Sequence, residues 1–155
     1  MTATTVGHAK NWYAERRWLG YAGLVPFVAC TAVLLFASSS AWREAANDFL
    51  LNYAAVIASF LGAVHWGFAA AADDDSAVAR LRWGVMPALI AWVLLAVAPA
   101  SLAFVGFAVL FGLILSADRY FLPVLDAAYR QLRLQLSTVV VATLAAAAVA
   151  THGAT

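Results

Sequence analysis

Apolar residues run almost unbroken through five stretches of this chain, and the polar residues gather in the short segments between them. The stretches cover residues 19–37, 49–72, 83–99, 100–117 and 134–150. A helix needs about 20 mainly apolar residues, and at least about 17, to cross the hydrocarbon core of a bilayer. Each stretch reaches that length. The pattern therefore predicts an all-α membrane protein with five transmembrane helices in one domain, residues 19–150, preceded by a polar segment 1–18 and followed by a tail 151–155. Asn47-Asp48 stand before the second span and fit a helix start. Pro99-Ala100-Ser101 join the third and fourth spans and predict a tight helical hairpin.

Between the fourth and fifth spans, "RYFLPVLDAAYRQLR" places Phe121, Leu125, Ala128 and Leu132 on one helical stripe and Asp126, Arg130 and Arg133 on another. This is the pattern of an amphipathic interfacial helix before the fifth span, started by Pro123 in its first turn and able to run on into that span. Asp73-Asp74-Asp75-Ser76 reads as a solvated loop, with Asp75 or Ser76 capping the helix that follows.

Composition supports the pattern. Hydrophobic residues make up 65% of the 155 residues and charged residues 11%, against about 25% charged in soluble domains. A formal net charge of +1 offers nothing to a polyanion, so nucleic acid is excluded as a partner. Cys30 is the single cysteine, which excludes an intramolecular disulfide and a Cys-rich metal site. No small-residue cleavage site follows the first apolar run, so that run is expected to act as an uncleaved insertion signal.

Charge also predicts direction. Lys10, Arg16, Arg17, Arg80, Arg82, Arg119, Arg130 and Arg133 fall on one side of the alternating spans, and Arg43 alone falls on the other. The basic side faces the cytoplasm, so the N-terminus is expected there and the C-terminus opposite. Trp18, Trp42, Tyr53, Trp83 and Tyr120 lie near span ends, where amphipathic rings settle. An odd number of spans without internal repeats argues against inverted-repeat transporters.

Inside the spans the chemistry is sparse. Ala55, Ser59, Ala63, Gly67 and Ala71 recur every four residues in the second span, a spacing that lets another helix approach closely. Gly62 and Gly67 bracket His65 and Trp66. Pro26 breaks the first span at a depth comparable with that of His65, freeing the carbonyl of Ala22. His65 is expected to donate to that carbonyl, with Tyr21, Thr138 or Thr143 nearby. The alternative is a cofactor role, with His65 ligating haem or hydrogen-bonding a quinone among Trp66, Trp92 and Tyr21. Met86, or His65 of a second copy, would supply the second haem ligand. A proton relay would need further acids or histidines at depth, and none is apparent in the spans. Arg119, Arg130 and Arg133 are candidates for contact with anionic lipid or with a partner protein. No nucleophile–base pair, P-loop, dinucleotide fingerprint or metal-ligand spacing occurs, so no catalytic or metal site is expected.

Four segments together, "LGYAGLVPF", "YAAVIASFLGAVHWG", "RWGVMPALIAW" and "YRQLRLQLSTVV", resemble a bacterial family of multi-pass membrane proteins of unknown function related to the mitochondrial transmembrane protein 69. The resemblance runs from Leu19 to about Ala150, and the residues around His65-Trp66-Gly67 are its most distinctive part. It implies a protein of the bacterial inner membrane and brings no catalytic residue or cofactor with it. Together with the packing faces, it points to an accessory, assembly or stabilising component, associated with other membrane subunits or with copies of itself. A redox protein using His65 and a small oligomeric transporter are the alternatives.

Overall fold

The computed structural model describes residues 3–71, 75–122 and 126–152, with side chains from Trp12 onward. Among these residues it has six helices: α1 (Ala3–Ala22), α2 (Val25–Phe36), α3 (Ser40–Ala71), α4 (Ala77–Val97), α5 (Ala100–Phe121) and α6 (Ala127–His152). Five segments are long and apolar enough to cross a membrane: Trp12–Phe36, which runs from α1 through α2, and each of α3 to α6. The protein is a multi-pass helical membrane protein, as the apolar pattern predicts.

The first span breaks at Gly23-Leu24. Gly23 N–H donates to the Leu19 carbonyl at 3.1 Å and Leu24 N–H to the Tyr21 carbonyl at 3.0 Å, which closes α1. Pro26 then stands in the first turn of α2, where the N–H it lacks would have no helical partner anyway. It starts a helix, and does not kink one. The Gly23 carbonyl at the break accepts a hydrogen bond from the Tyr53 hydroxyl of α3 at 2.9 Å.

α3 begins at Ser40, well before Asn47-Asp48, and its 32 residues span about 48 Å at 1.5 Å per residue. Ala41, Glu44, Ala45 and Ala46 favour helix and carry it through the polar pair. Asn47 and Asp48 thus lie within the helix, and the Asn52 side chain donates to the Asp48 carbonyl at 2.8 Å. Arg43 reaches across to donate to the Ala150 carbonyl at 3.0 Å. This places a cation at the C-terminal end of α6, where the helix dipole favours it.

The α4–α5 hairpin turns at Ala98-Pro99, both extended, with ψ of 137° and 154°. Ser76 occupies the N-cap position of α4 but makes no side-chain capping hydrogen bond. Asp73 and Asp74 lie outside the described residues, as do Pro123 and Leu125. The amphipathic stretch is divided: Arg119–Phe121 close α5, and Ala127–Arg133 form the first turns of α6. No separate interfacial helix stands between them among the described residues. Asp126 stands just before Ala127 at the start of α6, its Oδ1 accepting from Tyr129 N–H at 2.6 Å.

α5 forms the centre. Phe104, Phe107, Leu110, Phe111 and Ile114 are fully enclosed at helical spacing. Phe111 meets Phe27 edge-on at 5.9 Å, and Phe27 in turn meets Tyr53 at 5.1 Å. Facing α5 and α4, α3 presents Ala46, Leu50, Ala54, Ala58, Gly62, His65 and Ala69. This packing stripe is one residue out of step with the expected one. Of the expected stripe, Ala55 and Ser59 are half-buried and Ala63, Gly67 and Ala71 are exposed. Alanine is so frequent along α3 that spacing alone fits either stripe.

Candidate functional site

Helices α3 and α5 end where α6 begins, and at that end of the bundle three polar side chains turn inward. His65 is 0% exposed, Asp118 of the last turns of α5 is 7% exposed, and Arg133 of α6 is 9% exposed. Arg133 Nε donates to Asp118 Oδ2 at 2.8 Å, and Nη2 donates to the same oxygen. The other carboxylate oxygen, Oδ1, stands 3.6 Å from His65 Nε2. Neither imidazole nitrogen completes a hydrogen bond. The ring of Phe121 meets the imidazole edge-on at 6.1 Å and shuts that side.

A carboxylate in this setting requires its guanidinium, because an unpaired charge away from water is prohibitively costly. Position adds to the need: Asp118 lies at a helix C-terminus, where the dipole disfavours a negative charge. The imidazole is a third, uncommitted member. A shift of several tenths of an ångström would bring it into hydrogen-bond range of Oδ1. No cluster of metal-ligating residues occurs among the described residues.

The helix crossing beside His65 is set by two glycines. A Cβ on Gly62 would lie 2.6 Å from the Gly84 carbonyl oxygen, and one on Gly84 would lie 2.4 Å from Trp66 Cδ1. Only hydrogen fits at either position, so α3 and α4 touch backbone to backbone. Pro87 packs on the same spot, 3.1 Å from a Cβ at Gly62. Trp66 Nε1 donates to the Leu81 carbonyl at 3.0 Å and ties α3 to the start of α4.

The structure groups the expected site residues differently from the sequence. His65, Trp66 and Gly62 share the α3 crossing, whereas Gly67 points outward with nothing within 4 Å of its missing Cβ. His65 makes no hydrogen bond to the Ala22 carbonyl. The Tyr53–Gly23 bond fixes the register of α3 against the first span, and His65 is twelve residues further along, about 18 Å. Tyr21 is therefore engaged elsewhere, donating to Gln135 Oε1 at 2.9 Å. Thr138 and Thr143 bond to carbonyls of their own helix. Met86 and Trp92 are exposed on α4, whose buried residues are Gly84, Pro87 and Ala91.

Arg119 and Arg130 are exposed and flank a cleft between α5 and α6, with Arg133 and Asp118 in its wall. Arg133 itself is an interior residue, contrary to its expected place on the polar stripe: Asp118 draws it inward. The sequence marks Tyr53 only as a span-end ring and Asp118 only as part of an interfacial anchor with Arg119, and gives no sign of the role of Gly84. Asp118-Arg119 reads as a surface pair, yet consecutive helical residues point about 100° apart, and only Arg119 stays outside.

Residues 12–149 match the model of a family described as a protein of unknown function, DUF3429. The chain belongs to that family. Transmembrane protein 69 of Xenopus tropicalis is 33% identical over 134 residues, which is 80% of this chain and 49% of that relative. The chain thus spans about half the length of the relative it matches. No solved structure matches it. The family match takes in all three residues of the buried cluster, both crossing glycines and the arginines of the cleft.

Proposed function

We propose that this protein works by lateral association, as a non-catalytic accessory, assembly or stabilising component of a larger membrane complex. One observation carries the reading: Ala63, Gly67 and Ala71 of α3 are small, exposed and not covered by any of the described residues. Glycine within a helix is disfavoured relative to alanine by about 1 kcal/mol. At Gly62 and Gly84 the tight crossing accounts for it. At Gly67 nothing among the described residues does, since a Cβ there meets no atom within 4 Å, and Gly112 on α5 is alike. Small residues four apart are what a second helix needs for close approach in lipid, where packing rather than water exclusion drives association.

The basic end of the bundle, with Arg16, Arg17, Arg80, Arg82, Arg119 and Arg130, supports a cytoplasmic position for that end in the bacterial inner membrane. The decisive experiment is gentle solubilisation of native membranes, native electrophoresis and mass spectrometry on wild type and Gly67→Leu. The expected result is comigration of wild type with a larger complex, lost in the variant while the isolated variant unfolds like wild type. Wild type running alone, as monomer or small homo-oligomer, would overturn the reading.

A further inference from the structure

The cleft between α5 and α6 has the composition of a lipid-headgroup site. Its volume is about 390 Å³ and it is lined by Leu115, Asp118, Arg119, Arg130, Gln131, Arg133 and Leu134. Ligand pockets commonly occupy about 300–1,000 Å³. Three guanidinium groups and one carboxylate leave a surplus of two positive charges. Arg133 is committed to Asp118 through two of its N–H groups, out of the five it carries. Arg119 and Arg130 have no ion-pair partner among the described residues.

Depth identifies the occupant. Arg119 is two residues from the end of α5 and Arg130 three from the start of α6, so both lie within about 5 Å of the helix ends. Leu115 and Leu134 stand a turn further in, and Leu134 is 41% exposed on a helix that crosses the membrane. A ligand entering from the bilayer therefore meets guanidinium groups at the headgroup level and leucine side chains below them. A free anion would use the first and gain nothing from the second.

We infer that this cleft binds an anionic phospholipid, its phosphate held by Arg119 and Arg130 with Arg133 at the back and its upper chain segments against Leu115 and Leu134. Charge favours a lipid carrying two negative charges, such as a diphosphatidyl lipid, over one carrying a single phosphodiester. The site is independent of the exposed face of α3.

The test uses the full chain, delipidated in neutral detergent. Thermal unfolding and native mass spectrometry are followed on adding diphosphatidylglycerol, phosphatidylglycerol, phosphatidylcholine or inorganic phosphate, for wild type, Arg119→Gln/Arg130→Gln and a control, Arg82→Gln. Anionic lipid should bind and raise the unfolding temperature of wild type and the control, and phosphatidylcholine should not. Apparent affinity should fall about 5-fold for each arginine removed and about 30-fold for the pair. Equal binding of phosphatidylcholine, or an unchanged double variant, would overturn the site. Inorganic phosphate stabilising as well as lipid would reassign it to a free anion. Loss of a comigrating protein from the double variant, with lipid retained, would reassign the arginines to a partner and equally overturn the lipid site.

Discussion

Arg133 is the residue whose removal should damage this protein most per atom lost. It provides the counter-charge for Asp118, a carboxylate 7% exposed, through two N–H groups on one oxygen. At a charge separation of about 4 Å and an effective dielectric of about 20, the attraction is about 4 kcal/mol. Arg133→Met keeps much of the length and apolar stem, removes that attraction and leaves Asp118 without its hydrogen-bonded counter-charge. The expected loss is about 3–5 kcal/mol, the usual consequence of breaking a buried pair from one side. Asp118→Leu/Arg133→Met removes the stranded charge too, and replacing both partners by apolar groups is commonly neutral or stabilising. The double variant should therefore recover most of the loss, leaving a strongly favourable coupling in the double-mutant cycle. The assay is reversible unfolding of the detergent-solubilised chain, followed by helical circular dichroism against increasing denaturing detergent. A single variant within about 1 kcal/mol of wild type would mean that water reaches Asp118 freely. Additive losses in the double variant would mean the two residues act separately. Either result would refute the description of the cluster as a coupled, enclosed pair.

Three further outcomes follow from the same geometry. Gly62→Ala should lose about 1–3 kcal/mol by overpacking, because its Cβ would press on a carbonyl 2.6 Å away, whereas Gly67→Ala should lose nothing or gain up to about 1 kcal/mol in the isolated chain; the same unfolding assay separates them. Tyr53→Phe should cost about 1–3 kcal/mol, since the Gly23 carbonyl at the break of the first span loses its donor and no water in the bilayer core replaces it. The Asp126 carboxyl is held below its ordinary value first by the Tyr129 N–H it accepts and then by Arg16; its capping of α6 and its tie to α1 are therefore present above the ordinary carboxylate range and lost as pH falls through the lowered value. Carboxyl-carbon NMR titration should place Asp126 below the ordinary aspartate value, and Asp126→Ala should abolish the acid-induced release of the α1–α6 contact.

The spans were legible because a bilayer leaves few alternatives: long apolar runs must be helices, and five such runs give five crossings. Their ends were harder to read. The sequence around Ser40–Asp48 is polar enough for a loop and helix-favouring enough for a helix, and Arg43 engaging Ala150 is a tertiary contact no local pattern announces. His65 and its flanking glycines stood out by type, yet their partners did not. Alanines at four-residue spacing occupy two adjacent faces of α3, and only the polar residue distinguishes them. An ionisable group in a span should face protein, so His65 itself marks the stripe through Ala58, Gly62 and Ala69 as the inner one. Asp118 reads as half of an interfacial anchor because it neighbours Arg119 near a span end, and nothing local announces that it turns inward to Arg133.

The depth of the buried cluster explains how a chain with so few charges can afford it. His65 lies six residues from the end of α3, Asp118 three from the end of α5 and Arg133 six from the start of α6, which places all three within about 9 Å of one end of the bundle. At that depth long side chains can still reach interfacial water while the bundle assembles, so ionised Asp118 and Arg133 need not cross the bilayer centre unpaired. Once paired, they fix how far α5 and α6 can slide past each other, since a one-residue slip of about 1.5 Å would break both N–H···O bonds. The core residues that α6 contributes, Val140, Leu144, Ala147 and Ala148, make no directional bond and so fix that offset less sharply. The ion pair is therefore best understood as the element that selects one alignment of the last two helices, and by holding Arg133 inside it also shapes the wall of the cleft that Arg119 and Arg130 flank.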